Sequence, residues 1–373
     1  MASRPGRARP RQPWQSARAL PALPVALIAV ITVVDMRAPY DVHLGPALVI
    51  APALTPSFAG PRTTAGIGAL AVAAQLLIGV THGGLGTTNH IVQIVTLAVL
   101  VVLTVVYSAL RERRQAQLAR VRTVAEAAQH VLMWPLPERI GTLRIASLYL
   151  AAEDEAQIGG DLYAAAACDG TVRMLIGDVR GKGLPAIGEA ALLLGAFRES
   201  AHRHIPLTEL ATALDQSITR YAAELDPPEE EGERFATALL VEIPDRDPVT
   251  RMTSCGHPPP LLLGPGHVVT APALHPSPPL GVQYGIGHTL DVFSFEPGDT
   301  LLLYTDGVVE ARDAHGRFYP LADRVARWTG DSPQALLHHL RRDLLAHAGG
   351  RLGDDAALVA LHRAPAERRR HHG

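Results

Sequence analysis

The stretch from Ile158 to Ala186, IGGDLYAAAACDGTVRMLIGDVRGKGLPA, constrains the fold more than any other part of the chain. It holds two short acidic turns, Gly159-Gly160-Asp161 and Gly177-Asp178-Val179-Arg180-Gly181-Lys182-Gly183, and the apolar sequence between them predicts paired strands over Leu162–Ala167 and Val172–Ile176. Each Asp therefore stands where a strand meets a loop. A carboxylate flanked by glycines suits a hard divalent cation, because the missing side chains let backbone carbonyls and water approach beside the carboxylate oxygens. Two more acidic turns follow far along the chain. Thr300–Tyr304 is a buried-strand pattern ending in Thr305-Asp306-Gly307, and Gly353-Asp354-Asp355 precedes a strand at Ala357–Leu361. Four Asp residues at distant strand ends can converge only if those strands pack side by side.

At these residues the chain resembles the SpoIIE/RsbU-type branch of the PPM (PP2C-like) metal-dependent serine/threonine phosphatases. The resemblance is carried by GGDLY at Gly159–Tyr163, GDVRGKG at Gly177–Gly183, FATALL at Phe235–Leu240, CGHPPPLLL at Cys255–Leu263, PPLGV at Pro278–Val282, FEPGDTLLLYTDGVVEARD at Phe295–Asp313 and GDDAALVAL at Gly353–Leu361. It implies an α+β fold, an α/β/β/α sandwich of two antiparallel sheets flanked by helices. It also implies two Mn²⁺ or Mg²⁺ ions, which would activate water for attack on a phosphate ester without a protein nucleophile. Asp178 would bridge both ions and the backbone carbonyl of Val179 would reach one of them. Asp306 and Asp354 would complete the other site, Asp354 being preferred to Asp355 as the first of its pair, and Asp161 would hold the first ion directly or through water. The implied substrate is a phosphorylated regulatory protein such as an anti-sigma-factor antagonist. The rival reading is a catalytically idle phosphatase-like domain that acts as a binding or scaffold module. The sequence departs from the family at Ala164, where an acidic residue commonly follows the aromatic one.

Composition separates the chain into two parts. Of 373 residues 47% are hydrophobic, and the excess lies almost wholly before residue 110. Arg4, Arg7, Arg9, Arg11 and Arg18 form a basic start, followed by apolar segments at Ala19–Val34, Leu44–Ala59, Thr64–Val80 and His90–Leu110. These are read as four transmembrane helices over 19–110, the second interrupted by Pro52 and Pro56. Arg111, Arg113 and Arg114 after the last segment match the basic start, so both ends are expected in the cytoplasm of a multi-pass cell-membrane protein. The region serves as a plain anchor or as a sensor. A formal net charge of −2 and the lack of a basic stripe argue against nucleic acid as the principal partner.

Residues 111–137 are expected to form a helical linker, rich in Ala, Arg, Gln and Glu and stopped by Pro135 and Pro137. Its apolar stripe, Leu118, Val121, Val124, Ala125, Ala128 and Val131, suits a homodimer contact or packing on its own domain. His130 on this helix would suggest a sensor kinase only with a nucleotide-binding half, and no such boxes follow. The phosphatase-like domain is expected over 138–363 and a disordered basic tail over 364–373, with an acidic surface loop from Asp226. Cys168 and Cys255 read as buried, reduced thiols. His257 reads as a structural turn residue or as an acid for a leaving alkoxide, and Arg180 and Lys182 as phosphate-attracting or merely solvated charges.

Overall fold

The computed structural model describes residues 22–37, 44–81, 88–152, 159–225, 234–271, 273–282 and 287–365. The basic start, the acidic loop and most of the basic tail lie outside the described residues. The chain divides into two compact units, Met1–Ala119 and Arg120–Gly373.

In the first unit, helix α1 spans Ala22–Arg37, and a broken segment follows: a 3₁₀ turn at Gly45–Val49, helix α2 at Ile50–Leu54 and a second 3₁₀ turn at Thr55–Ser57. Pro46, Pro52 and Pro56 lie in this segment, and each removes a backbone donor, which accounts for the interruption. Helix α3 is Pro61–Thr81 and helix α4 is Thr88–Leu132. Among the described residues two helices are long and apolar enough to cross a membrane, Pro61–Thr81 and the part of α4 from His90 to Arg120. Four spans were expected. Among the described residues α1 is a helix of 16 residues, and the second segment is helical in short pieces. The side chains of 121–132, and with them His130 and most of the apolar stripe, lie outside the described residues.

The second unit is built on two antiparallel sheets. Its strands are β1 (Arg139–Ile140), β2 (Leu143–Leu150), β3 (Asp161–Cys168), β4 (Thr171–Val179), β5 (Ala236–Pro244), β6 (Val249–Cys255), β7 (Leu261–Gly264), β8 (His267–Thr270), β9 (Asp291–Ser294), β10 (Thr300–Tyr304) and β11 (Ala356–Arg363). One sheet runs β1-β2-β11-β10-β7-β8, the other β3-β4-β5-β6-β9. Helices α5 (Leu184–Ala201) and α6 (Leu207–Leu225) pack on the second sheet; α7 (Asp306–Val309), α8 (Leu321–Val325) and α9 (Pro333–His347) lie on the side of the first. The expected sandwich of two sheets flanked by helices is thus the observed fold.

Three apolar cores follow from this layering. Between the sheets lie Ile145, Met174, Ile176, Leu239, Val241, Leu301, Leu303, Val359 and Leu361. Leu162, Leu175, Leu193, Phe197, Leu210 and Leu214 fill the space between the second sheet and α5–α6, and Leu302, Val308, Leu336, Leu340 and Leu358 that between the first sheet and its helices. Alternate residues of β4 and β10 feed opposite cores, so these central strands are apolar on both faces and read as continuous runs rather than as an alternation. That is why they were legible in the sequence. Strands β1 and β8 and helix α7 are two to four residues long and carry no periodic signal. The segment His288–Phe295 shortens to β9, an edge strand paired only with β6. Cys255 is buried as expected, whereas Cys168 at the end of β3 is half-buried; both are free thiols.

Candidate metal centre

Strands β3 and β4 form a hairpin whose two-residue turn is Asp169-Gly170, with φ of 43° and 76°, the primed geometry that matches the twist of the flanking strands. This turn fixes the register, and at the open end of the hairpin Asp161 stands directly opposite Asp178. Strand β10 delivers Asp306 to the same place as the first residue of α7. One carboxylate oxygen from each of Asp161, Asp178 and Asp306 falls within 4.8 Å of the others.

Thr305 precedes α7 in the position of an N-cap, but its hydroxyl caps nothing there. Fully buried, it donates to Oδ2 of Asp161 at 2.7 Å and accepts from the Ala357 amide at 2.9 Å, joining the two sheets through the acidic site. The pair before β11 divides its work. Asp355 is buried and accepts from the amides of Ala152 at 2.7 Å and Gly159 at 2.6 Å and from the Tyr149 hydroxyl, so it clamps the chain leading into Asp161. Asp354 is half-exposed and pairs with Lys182 Nζ at 3.2 Å. Sequence reasoning missed the clamp because it depends on a contact between residues about two hundred positions apart. The N-cap preference for Thr before a short acidic turn was the one local hint at Thr305.

Two glycines are required by close approach. A Cβ on Gly160 would lie 2.2 Å from the carbonyl oxygen of Val179, and one on Gly307 would lie 1.9 Å from the carbonyl oxygen of Asp355. Glycine at 160 thus lets its backbone lie against that of Val179, whose amide donates to the Gly160 carbonyl at 3.2 Å.

The electrostatics are those of like charges forced together. Burial, then the charge of Asp178, raises Asp161 well above the usual carboxylate range despite the Thr305 hydrogen bond. Asp178 is pushed up to about 7 by burial, then by Asp306, Asp354 and Asp355. Asp306 is raised by burial and by Asp354. Asp354 is therefore within electrostatic reach of the cluster, although its carboxylate is not among the three that meet. An all-oxygen set of mutually repelling carboxylates fits a hard divalent cation, which would replace the protons the cluster otherwise retains.

Arg180 and His257, each read from the sequence either as acting on phosphate or as structural or solvated, have protein partners. The Arg180 guanidinium stacks on Phe235 at 4.9 Å. His257 is buried, its Nε2 donating to the Tyr304 carbonyl at 3.1 Å and its Nδ1 accepting from the Thr237 hydroxyl at 2.9 Å. Burial lowers its pKa to about 3, so it is neutral and bridges the two sheets; it is not placed to be an acid.

This sandwich, with acidic strand ends converging at one edge, defines a PP2C-like fold. The family model described as stage II sporulation protein E (SpoIIE) matches residues 168–364, and the chain belongs to that family. Phosphoserine phosphatase RsbP of Bacillus subtilis is 26% identical over 209 residues, 55% of this chain and 49% of RsbP. The match thus spans about half the length of that curated relative. Among solved structures, the RsbU and RsbW domains of a Mycobacterium tuberculosis protein align with a TM-score of 0.50 at 27% identity, covering 60% of each chain. The SiaA-PP2C domain of Pseudomonas aeruginosa aligns with a TM-score of 0.53 at 17% identity, covering 68% of this chain and 98% of that one, a likeness of fold.

Proposed function

We propose that the chain is a membrane-anchored, metal-dependent protein serine/threonine phosphatase. The observation that carries this reading is the convergence of Asp161, Asp178 and Asp306 at one edge of a SpoIIE-family sandwich. Asp161, Asp178, Asp306, Asp354 and the Val179 carbonyl would hold two Mg²⁺ or Mn²⁺ ions. Bound there, the ions supply an activated water and neutralise charge on a phosphoryl group. The chain's own part is to position: Thr305 orients Asp161, Asp355 fixes the Gly159–Gly160 backbone, and Lys182 holds Asp354 beside the cluster. The substrate class we assign is a phosphoserine or phosphothreonine on a small regulatory protein in a sigma-factor pathway, by analogy with the phosphoserine phosphatase among its relatives. Membrane anchoring rests on the two long apolar helices, with the phosphatase unit on the side of the Arg111–Arg114 cluster, the cytoplasm.

The test is phosphate release by the full chain in detergent from a phosphoserine protein, with Mg²⁺, with Mn²⁺ and with chelator. Turnover that needs a divalent ion and vanishes in Asp178→Asn supports the proposal. No turnover of phosphoserine or phosphothreonine substrates, in protein that demonstrably binds the ion, would reduce the domain to a binding module.

A further inference from the structure

The far end of the β3–β4 hairpin gathers three side chains of another kind. Cys168 closes β3, Asp169 takes the first turn position, and His204 reaches them from the connection between α5 and α6. One ligand atom from each, a thiol sulfur, a carboxylate oxygen and a ring nitrogen, lies within 4.8 Å of the other two. Nε2 of His204 is 3.1 Å from Oδ2 of Asp169.

We propose that Cys168, Asp169 and His204 form a zinc site, separate from the acidic centre, with three protein ligands and a fourth position open to water. A thiolate, an imidazole and a carboxylate make a borderline-soft set that selects Zn²⁺ over Mg²⁺. In a tetrahedral site with Zn–S near 2.3 Å and Zn–N near 2.0 Å, ligand atoms stand about 3.3–3.7 Å apart, so small side-chain rotations close this one. Both Asp169 and His204 are free to make them, being about three-quarters exposed. On binding, Cys168 gives up its thiol proton to solvent.

The backbone beneath the three ligands is held in place. Arg173, 8% exposed, donates to the carbonyls of Ala201 at 3.4 Å, Arg203 at 3.1 Å and Ile205 at 2.7 Å, pinning the chain on both sides of His204. Arg173 is itself fixed by Glu242, at 2.8 Å. On the hairpin side the two-residue turn fixes Asp169, and Cys168 Sγ lies 3.8 Å from the His202 carbonyl. Supported backbone under exposed ligands is the arrangement a metal site needs. The ion would tie the hairpin tip to the end of α5, the helix that leaves the Asp178 turn.

Co²⁺ is the first probe, added to the full chain in detergent with Mg²⁺ in excess to occupy oxygen sites. A thiolate-to-cobalt charge-transfer band should develop to one equivalent and be displaced by Zn²⁺. The chain has two cysteines, Cys168 and the buried Cys255, so the band should vanish in Cys168→Ser and persist in Cys255→Ser. His204→Ala should weaken Zn²⁺ binding by more than about 100-fold, since loss of a merely supporting partner already costs 10–100-fold. Phosphatase activity with Mg²⁺ should be unchanged in Cys168→Ser and His204→Ala. A band that survives Cys168→Ser, or Zn²⁺ affinity equal in wild type and both variants, would overturn the site.

Discussion

Strand β4 carries an ionisable side chain near each end, and the two ends are treated oppositely. Near the tip, Arg173 sits opposite Glu242 on β5, which sits opposite Arg251 on β6; the contacts are 2.8 Å each, and the spare guanidinium donors reach three carbonyls. At the other end, Asp178 faces Asp161 across one pair of strands, with Asp306 beside them and the Thr305 hydroxyl donating to Asp161. The first network satisfies its charges within the protein, whereas the second leaves them to repel. Such repulsion is what the proposed metal centre would relieve, whereas the paired charges need nothing from outside the chain.

The largest expected effect breaks the repelling end. Asp178→Asn should lower metal-dependent turnover by several orders of magnitude, because metal activation of water supplies most of the catalysis. In metal-free protein the same change should raise the midpoint of thermal unfolding, since it removes a charge the fold must otherwise suppress. A metal-free variant less stable than wild type would mean that Asp178 is held by attraction.

Arg173→Ala breaks the other end, leaving Glu242 with Arg251 alone and the Ala201, Arg203 and Ile205 carbonyls without their donor, and should cost about 3–5 kcal/mol of stability, measured by denaturant unfolding. Catalysis per folded molecule should change little. Asp354 and Asp355 sharpen the contrast within one dipeptide. Asp355→Asn, which leaves a buried amide where three donors converge, should cost about 1–3 kcal/mol. Asp354→Asn should leave stability nearly untouched and act on metal affinity, read by titration calorimetry with Mg²⁺. Equal loss of stability in the two would refute the division of labour.

A further effect is on pH dependence. Asp178 is raised on folding to about 7, so the metal-free native state holds a proton that the unfolded chain has lost above its ordinary carboxylate value. Stability of the metal-free protein should therefore fall as pH rises from about 4 toward 7, the reverse of an ordinary paired carboxylate. Saturating Mg²⁺ should flatten that slope. A stability that rises over this window without metal would contradict the raised values.

What could be read in the sequence follows from locality. Glycine-flanked acidic turns and strands apolar on both faces are local patterns, so the sandwich and the acidic strand ends were legible. The clamp at Asp355, the sheet-bridging His257 and the Arg173–Glu242 pair depend on which strand lies beside which, and no short window carries that. In Leu44–Ala59 the apolar composition is a local pattern too, and three prolines break its backbone into short helical pieces.

The turn at Asp169-Gly170 has a reach beyond its own two residues. It begins eight residues along the chain from Asp161, about 26 Å at ~3.3 Å per residue. Strand side chains alternate with a period of two, so a slip of one residue in this hairpin would send Asp161 and Asp178 to opposite faces and scatter the cluster. Correct threading of the hairpin is thus a precondition of chemistry at its far end. A molecule that has threaded wrongly would lack the acidic cluster altogether rather than carry an altered one.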